Sequence, residues 1–313
     1  MPDLDDFKLG AKAILDQRDA NGTLALAADF NAAVNEIYRV YVNNPVAGRK
    51  VPLADSPWTL LCCIHFLGPL RNAMVRVGTA ATGVNLRIQT NVGFVNTDGD
   101  TLADTFNTVE DLDFDPPDVA SSASRYMHFR GQGHGVVNTD WRVGINVRPA
   151  SVADAVAALL PLTLNQANLR SMKFLGPGNA GKLDTVVVYL HRDGNYANLR
   201  QAIVDAVTDA GLALQNRKPL MWNGVQAGIF EGGEPPAGGG SFGKYRSKIA
   251  MAAYLRARAA AHPVTNIAFS NELDAALTAF GIDPANPWQQ VPPPGGGAVL
   301  RGQLNGFYNV GVV

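Results

Sequence analysis

Apolar positions recur with two periods along this chain, and the switches between them lay out its elements. Leu26, Phe30, Ala33, Ile37 and Tyr41 fall three or four apart, which predicts a helix over 24–43, and residues 4–16 read the same way. After a Pro- and Gly-bearing connection over 46–57 the period shortens. LRIQTNVGF (Leu86 to Phe94) reads as one strand, and TVVVYL (Thr185 to Leu190) as a buried one. WRVGINVR (Trp141 to Arg148) alternates: Val143, Ile145 and Val147 take one face, and Arg142, Gly144, Asn146 and Arg148 the other. YMHFR puts Tyr126, His128 and Arg130 on one face. Helices are expected over Ser151 to Leu160, with Ser151 as N-cap, and through Leu199, Ile203, Ala206 and Val207, stopped by Gly211. A third runs from Lys244 to Ala261 and is closed by Pro263. A fourth is capped by Ser270 and ended by Gly281, with Leu273, Leu277 and Phe280 inward. Gly232 to Gly243 reads as a loop, and VPPPGGG (Val291 to Gly297) as a linker. The order predicts an α+β fold: a mostly antiparallel twisted sheet with packed helices, preceded by a helical N-terminal region.

Composition narrows the function classes. The chain has 313 residues, 47% of them hydrophobic and 17% charged, which fits one large domain or two modest ones with a real core. A net charge of −1 argues against nucleic acid as a partner. No apolar run reaches membrane-spanning length, and MPDLDDFKLG does not read as a signal peptide. The two cysteines, Cys62 and Cys63, are adjacent in an apolar segment and read as buried thiols, which suits a cytoplasmic setting. Neither they nor His65 have the spacing of a zinc site, and no metal or organic cofactor is expected.

The charge is unevenly placed. Asp98 to Asp118 contains eight acidic residues and no basic one, and ends near a boundary at Pro116-Pro117. Between Ser121 and Asp184 lie Arg125, Arg130, Arg142, Arg148, Arg170, Lys173 and Lys182, with His128 and His134. Cations and imidazoles on a folded scaffold suit an anionic group, and guanidinium suits phosphate best. The competing reading is a solvated face. RGQGHG (Arg130 to Gly135) lacks the strand-to-helix context of a dinucleotide loop, and the chain has neither a P-loop nor a nucleophile elbow.

Four pieces in order carry a family resemblance: WRVGINV (Trp141 to Val147), MKFLGPG (Met172 to Gly178), KLDTVVVYL (Lys182 to Leu190) and GVQAGIFEGGEPPAGGGSFGKYRSKIA (Gly224 to Ala250). From about Arg125 to Leu255 the chain resembles the HopA-type effector family. That family comprises type III secretion effectors of plant-pathogenic bacteria and homologues from peptide natural-product clusters. The first 120 residues show no such resemblance. The residue pattern gives a helical N-terminal region with an acidic connector over 1–118, and the resemblance implies a HopA-like lyase domain over 119–313.

Members from lanthipeptide and thioamitide clusters act as lyases beside a kinase-like protein. The kinase phosphorylates Ser or Thr of a ribosomally made precursor peptide, and the lyase eliminates the phosphate to give dehydroalanine or dehydrobutyrine. The resemblance thus implies a phosphorylated precursor peptide and a kinase-like protein as partners, with no cofactor. Elimination needs a base for the α-proton, a cationic clamp for phosphate and a proton donor. Lys173 is the first choice of base and Lys182 the second, standing where the family usually has Arg. His128 is the first choice of donor, then His134. Arg130, Arg142, Asn146, Arg148 and Arg246 are the candidate clamp, with Asp184 orienting a cation and Tyr189 reaching the site. Related phosphothreonine lyases carry Lys-x-His on one strand. The comparable strand here is Arg142-Val143-Gly144, so lysine and histidine must come from elsewhere. The other function class is a non-catalytic peptide- or kinase-binding subunit, or a secreted effector that acts by docking.

Overall fold

The computed structural model describes residues 2–24, 27–43, 86–90, 93–96, 126–130, 139–148, 151–175, 183–236 and 241–291. These include helices α1 (Pro2–Ala20), α2 (Ala27–Asn43), α3 (Val152–Asn165), α4 (Tyr196–Asp209), α5 (Phe242–Ala260) and α6 (Asn266–Ala279). The strands are β1 (Leu86–Thr90), β2 (Gly93–Asn96), β3 (Tyr126–Arg130), β4 (Trp141–Ile145), β5 (Leu169–Leu175), β6 (Val186–Leu190), β7 (Asn223–Gln226) and β8 (Ile229–Gly233). The fold is α+β, as the periodicity predicts. The chain divides into two compact units. One is Met1–Arg49, Pro219–Asn223 and Gly232–Val313; the other is Lys50–Lys218 and Gly224–Glu231. The boundary expected at Pro116-Pro117 and the linker at Val291 to Gly297 fall outside the described residues, apart from Val291 itself.

The first unit is a helical cluster. α1 packs on α2, α5 and α6; α2 packs on α5; and α5 packs on α6. Phe7, Leu15, Ile37, Tyr245, Ile249, Leu273 and Leu277 are fully buried in it. Arg18 holds Glu36 through two bonds of 2.8 Å, and this pairing keeps the Glu36 carboxyl below the usual range. α5 begins at Phe242, two residues before the expected start. Gly243 explains it: a Cβ there would lie 2.3 Å from Tyr41 Cε1, so only glycine lets the α2 ring seat against the first turn. α6 begins at Asn266 with Thr265 as its cap, Oγ1 accepting from Ala268 N at 3.1 Å. The expected cap, Ser270, lies inside this helix, while Gly281 ends it at φ 76° as expected.

The second unit is built on the sheet, ordered β2-β1-β3-β5-β6-β4-β8-β7. Registered pairs from β2 to β4 are all antiparallel. Leu86 to Phe94, expected as one strand, is the hairpin β1–β2, with Asn91 and Val92 between. β8 runs through Gly232 and Gly233, read as loop from their glycines. Small residues are required there, because a Cβ on Gly233 would approach Gln290 N to 2.7 Å. α3 continues through Pro161 to Asn165, and Ser151 at its start makes no side-chain capping bond.

Directly opposed residues share a face of a sheet, and alternate residues along a strand return to it. Met172, Phe174, Val186, Val188, Val143 and Ile145 form the buried apolar face, and α3 packs on β3, β5 and β6. The other face receives Lys173, Tyr189, Arg142 and Gly144. Gly144 is tightly constrained, since a Cβ there would lie 2.2 Å from Phe230 Cε2. Phe230 is itself 1% exposed and has little room to turn. Gly144→Ala is expected to destabilise the protein by roughly 1–3 kcal/mol through overpacking. Urea unfolding measures it, and an unchanged midpoint would show that the ring can yield.

Candidate functional site

The sheet face opposite α3 carries Arg142, Lys173 and Tyr189, and backbone register sets further candidates beside them. β3 pairs with β5 so that His128 stands directly opposite Lys173 and Arg130 opposite Ser171. β6 places Tyr189 opposite both Ser171 and Arg142. Two adjacent rows result: Arg130, Ser171, Tyr189 and Arg142 in one, and His128, Lys173, Val187 and Gly144 in the other. β1 extends the second row, setting Arg87 opposite His128. Sequence reading missed Arg87, because strand register is not written in any local pattern.

Tyr189 is the centre of the described part of this site. Its ring centroid lies 5.2 Å from Arg142 Cζ and 5.5 Å from Lys173 Nζ. Arg142 is 4% exposed and Lys173 9%, so neither belongs to a solvated face. An aromatic face stabilises a cation by about 0.5–2 kcal/mol, most when both are withdrawn from water. Phe230 fills the space that a side chain at position 144 would use, so Arg142-Val143-Gly144 has no room for a Lys-x-His pair. The described lysine and histidine are instead paired across β3 and β5. Directly opposed Cα atoms sit about 4.5–5.5 Å apart, closer than the roughly 7 Å between alternate residues of one strand.

Other candidates are placed differently. Asn146 is fully buried; its Nδ2 donates to Arg217 O at 3.0 Å and its backbone N to Gly228 O at 2.8 Å, which ties β4 to the β7–β8 turn. Arg148 is exposed beyond the strand. Asp184 is 5% exposed; among the described residues it forms no ion pair, and Lys182, two residues before it, falls outside them. Arg246 was expected at an open helix start that binds anions. It lies instead inside the first unit, fully buried, 3.5 Å over the Phe242 ring. Its Nε and Nη2 donate to Pro287 O at 3.1 and 2.8 Å, which anchors the segment after α6. His134 and Lys182 fall outside the described residues. Lys218 is a further basic group that sequence reading passed over; burial pushes its ammonium down to about 8.

Among the described residues no cluster of His, Cys, Asp or Glu could hold a metal ion, and no helix is long and apolar enough to cross a membrane. Asn146→Ala removes a buried donor from a carbonyl and is expected to cost about 1–3 kcal/mol of stability. Arg148→Ala, at an exposed position, should stay within about 0.5 kcal/mol. Thermal melts of both variants check the contrast; equal melting temperatures would remove the tying role of Asn146.

The fold has known counterparts. An effector protein from Pseudomonas syringae pv. syringae strain 61 matches with a TM-score of 0.60 at 17% identity, covering 91% of this chain and 96% of that one. An effector protein from Pseudomonas syringae pv. tomato strain DC3000 matches with a TM-score of 0.57 at 17% identity, covering 93% and 99%. No curated protein matches by sequence. The HopA1 effector protein family matches residues 117–289, which span β3 to the segment after α6 and thus most of the two cationic rows. With more than half of its length in that match, the chain belongs to the HopA1 effector protein family.

Proposed function

We propose that the protein is a lyase that eliminates phosphate from phosphoserine or phosphothreonine in a ribosomally made precursor peptide, leaving dehydroalanine or dehydrobutyrine. One observation carries the reading: buried Arg142 and Lys173 flank the Tyr189 ring, and the register sets His128 directly across from Lys173. Lys173 takes the α-proton. The C–H electron pair becomes the Cα=Cβ bond, the Cβ–O bond breaks, and the phosphate departs with its electrons. Arg142, with Arg130 in the same row, holds the phosphate before and during departure. His128 protonates the leaving oxygen. Burial beside a second cation is the setting in which an amine serves as base. The phosphoryl group comes from a kinase-like partner, which this chain does not replace.

A second reading is an effector that acts by docking. Its support is that both structural counterparts are effectors matched over nearly their whole length. The two readings separate in single-turnover assays on a phosphorylated precursor peptide, read by mass spectrometry for loss of phosphoric acid, with affinity measured separately. Lys173→Ala is expected to abolish elimination and leave binding largely intact. His128→Ala should slow it toward the lower end of the ~10²–10⁴-fold range of general acid catalysis. Arg142→Ala should lower binding and rate together, because its charge acts in ground and transition states alike. Full activity in Lys173→Ala would transfer the base role to Lys182, and activity in both lysine variants would end the lysine mechanism. Wild-type protein that binds the phosphopeptide and never eliminates would establish the docking reading.

A further inference from the structure

The end of the sheet where β4 opens and β6 closes holds two guanidiniums that have no carboxylate partner among the described residues. Arg192, exposed just past β6, lies with its Cζ 4.3 Å from the Trp141 ring centroid and 5.4 Å from that of Tyr196. The two rings form a fixed platform. They are 4% and 7% exposed, Trp141 Nε1 donates to Tyr196 OH at 2.7 Å, and Tyr196 OH donates to Glu231. Burial, then that bond to Glu231, pushes the Tyr196 phenol far above its ordinary range, so it stays neutral. Arg170 sits at a bulge between Leu169 and Ser171, which takes it out of the alternation of β5. Among the described residues its Nη1 donates to a hydroxyl, Thr139 Oγ1, at 3.3 Å.

The nearby acids are engaged by other groups. Asp140 Oδ1 accepts the backbone N–H of Arg192 at 2.7 Å, and Oδ2 lies 2.9 Å from His191 Nδ1. Asp193 accepts from Asn168 Nδ2 and the Asn195 backbone, and Glu231 takes Tyr196 and, at 3.5 Å, Arg200. Among the described residues, the Arg192 guanidinium has aromatic neighbours and no anion.

We propose that this corner is a docking point for a carboxylate side chain of an acidic peptide, with Arg192 as its anchor and Arg170 beside it. A guanidinium pinned on two rings keeps its donor fork in one plane, and loses little freedom when a carboxylate engages it bidentately. A carboxylate fits better than a phosphate, because Asp140, which accepts the Arg192 backbone N–H, and Asp193, next in sequence, oppose a dianion more strongly than a single charge. Arg192 lies three residues past Tyr189, at most about 10 Å of extended chain. Trp141 alternates with Val143 and Ile145, so this anchor lies on the helix-packed side of β4, across the sheet from the row that contains Arg142.

The simpler role for Arg192 is to cover Trp141. Arg192→Met keeps an apolar stem over the ring and removes the donors, so it separates the two. Full-chain protein is titrated against a fluorescently labelled Glu-containing peptide and against its Gln counterpart, with inorganic phosphate as competitor. Wild type should prefer the Glu peptide by about tenfold, on the order of one charge-assisted hydrogen bond. Arg192→Met should lose that preference and keep its melting temperature, and Arg170→Met should reduce it. Three results would overturn the proposal: no binding of the Glu peptide, equal binding of both peptides by wild type, or full preference retained in Arg192→Met. Displacement by phosphate at concentrations far below those of acetate would assign the corner to phosphate instead. The readout is binding, so a protein inactive in elimination still decides the matter.

Discussion

Strand register is the constraint on which the rest of the second unit depends. The apolar rows of β4, β5 and β6 are buried, with α3 packed on β5 and β6, and a slip of one residue in any strand would turn those rows to the other side. Burying Met172, Phe174, Val186, Val188, Val143 and Ile145 therefore places Lys173, Tyr189 and Arg142 on the opposite face with no separate design for them. Each buried apolar side chain contributes about 1.5–3 kcal/mol, so the register is held far more firmly than the polar face alone could hold it. Thr185 adds a directional lock: its hydroxyl donates to Ile145 O at 2.8 Å and accepts from Val147 N at 2.9 Å.

Two withdrawn cations on one tyrosine need a physical account. Removing a charge from water costs several kcal/mol even after relaxation, and two like charges near each other add to it. The Tyr189 ring offsets part of the cost from both sides. Both side chains also make further contacts, so the ring is one of several groups that hold them.

How legible this was in the sequence differs by element. β4, β6 and α4 follow local periods, so Trp141 to Arg148, Thr185 to Leu190 and the helix ended by Gly211 can be read directly. The glycine misses share one cause, tertiary packing that overrode a local signal, while the cap miss is a local choice between two hydroxyls. Gly243 opens α5 because Tyr41 needs its space, Gly232 and Gly233 continue a strand because Phe242 and Gln290 approach them, and Thr265 outcompetes Ser270 as a cap. Within the site, residue types were legible and partnerships were not. Nothing in one strand shows that His128 will face Lys173 45 residues on, or that Arg246 will donate to a carbonyl at Pro287. Asn146 has the right place in an alternating row for a substrate contact, yet its amide holds the chain at Arg217.

At 17% identity the fold persists over more than nine-tenths of each chain, which requires that the apolar rows under α3 be kept and leaves the opposite rows freer to change. A strand position pointing away from the helices can exchange lysine for serine with little effect on register. Gly144 shows the limit of that freedom: Phe230 occupies the position where a catalytic side chain on β4 would stand. A lysine–histidine pair can then form only between strands, and β3 and β5 are the described neighbours whose register supplies it. Fold membership therefore does not decide chemistry; what decides it is whether the residues on that one face include an amine, an imidazole and a phosphate clamp together.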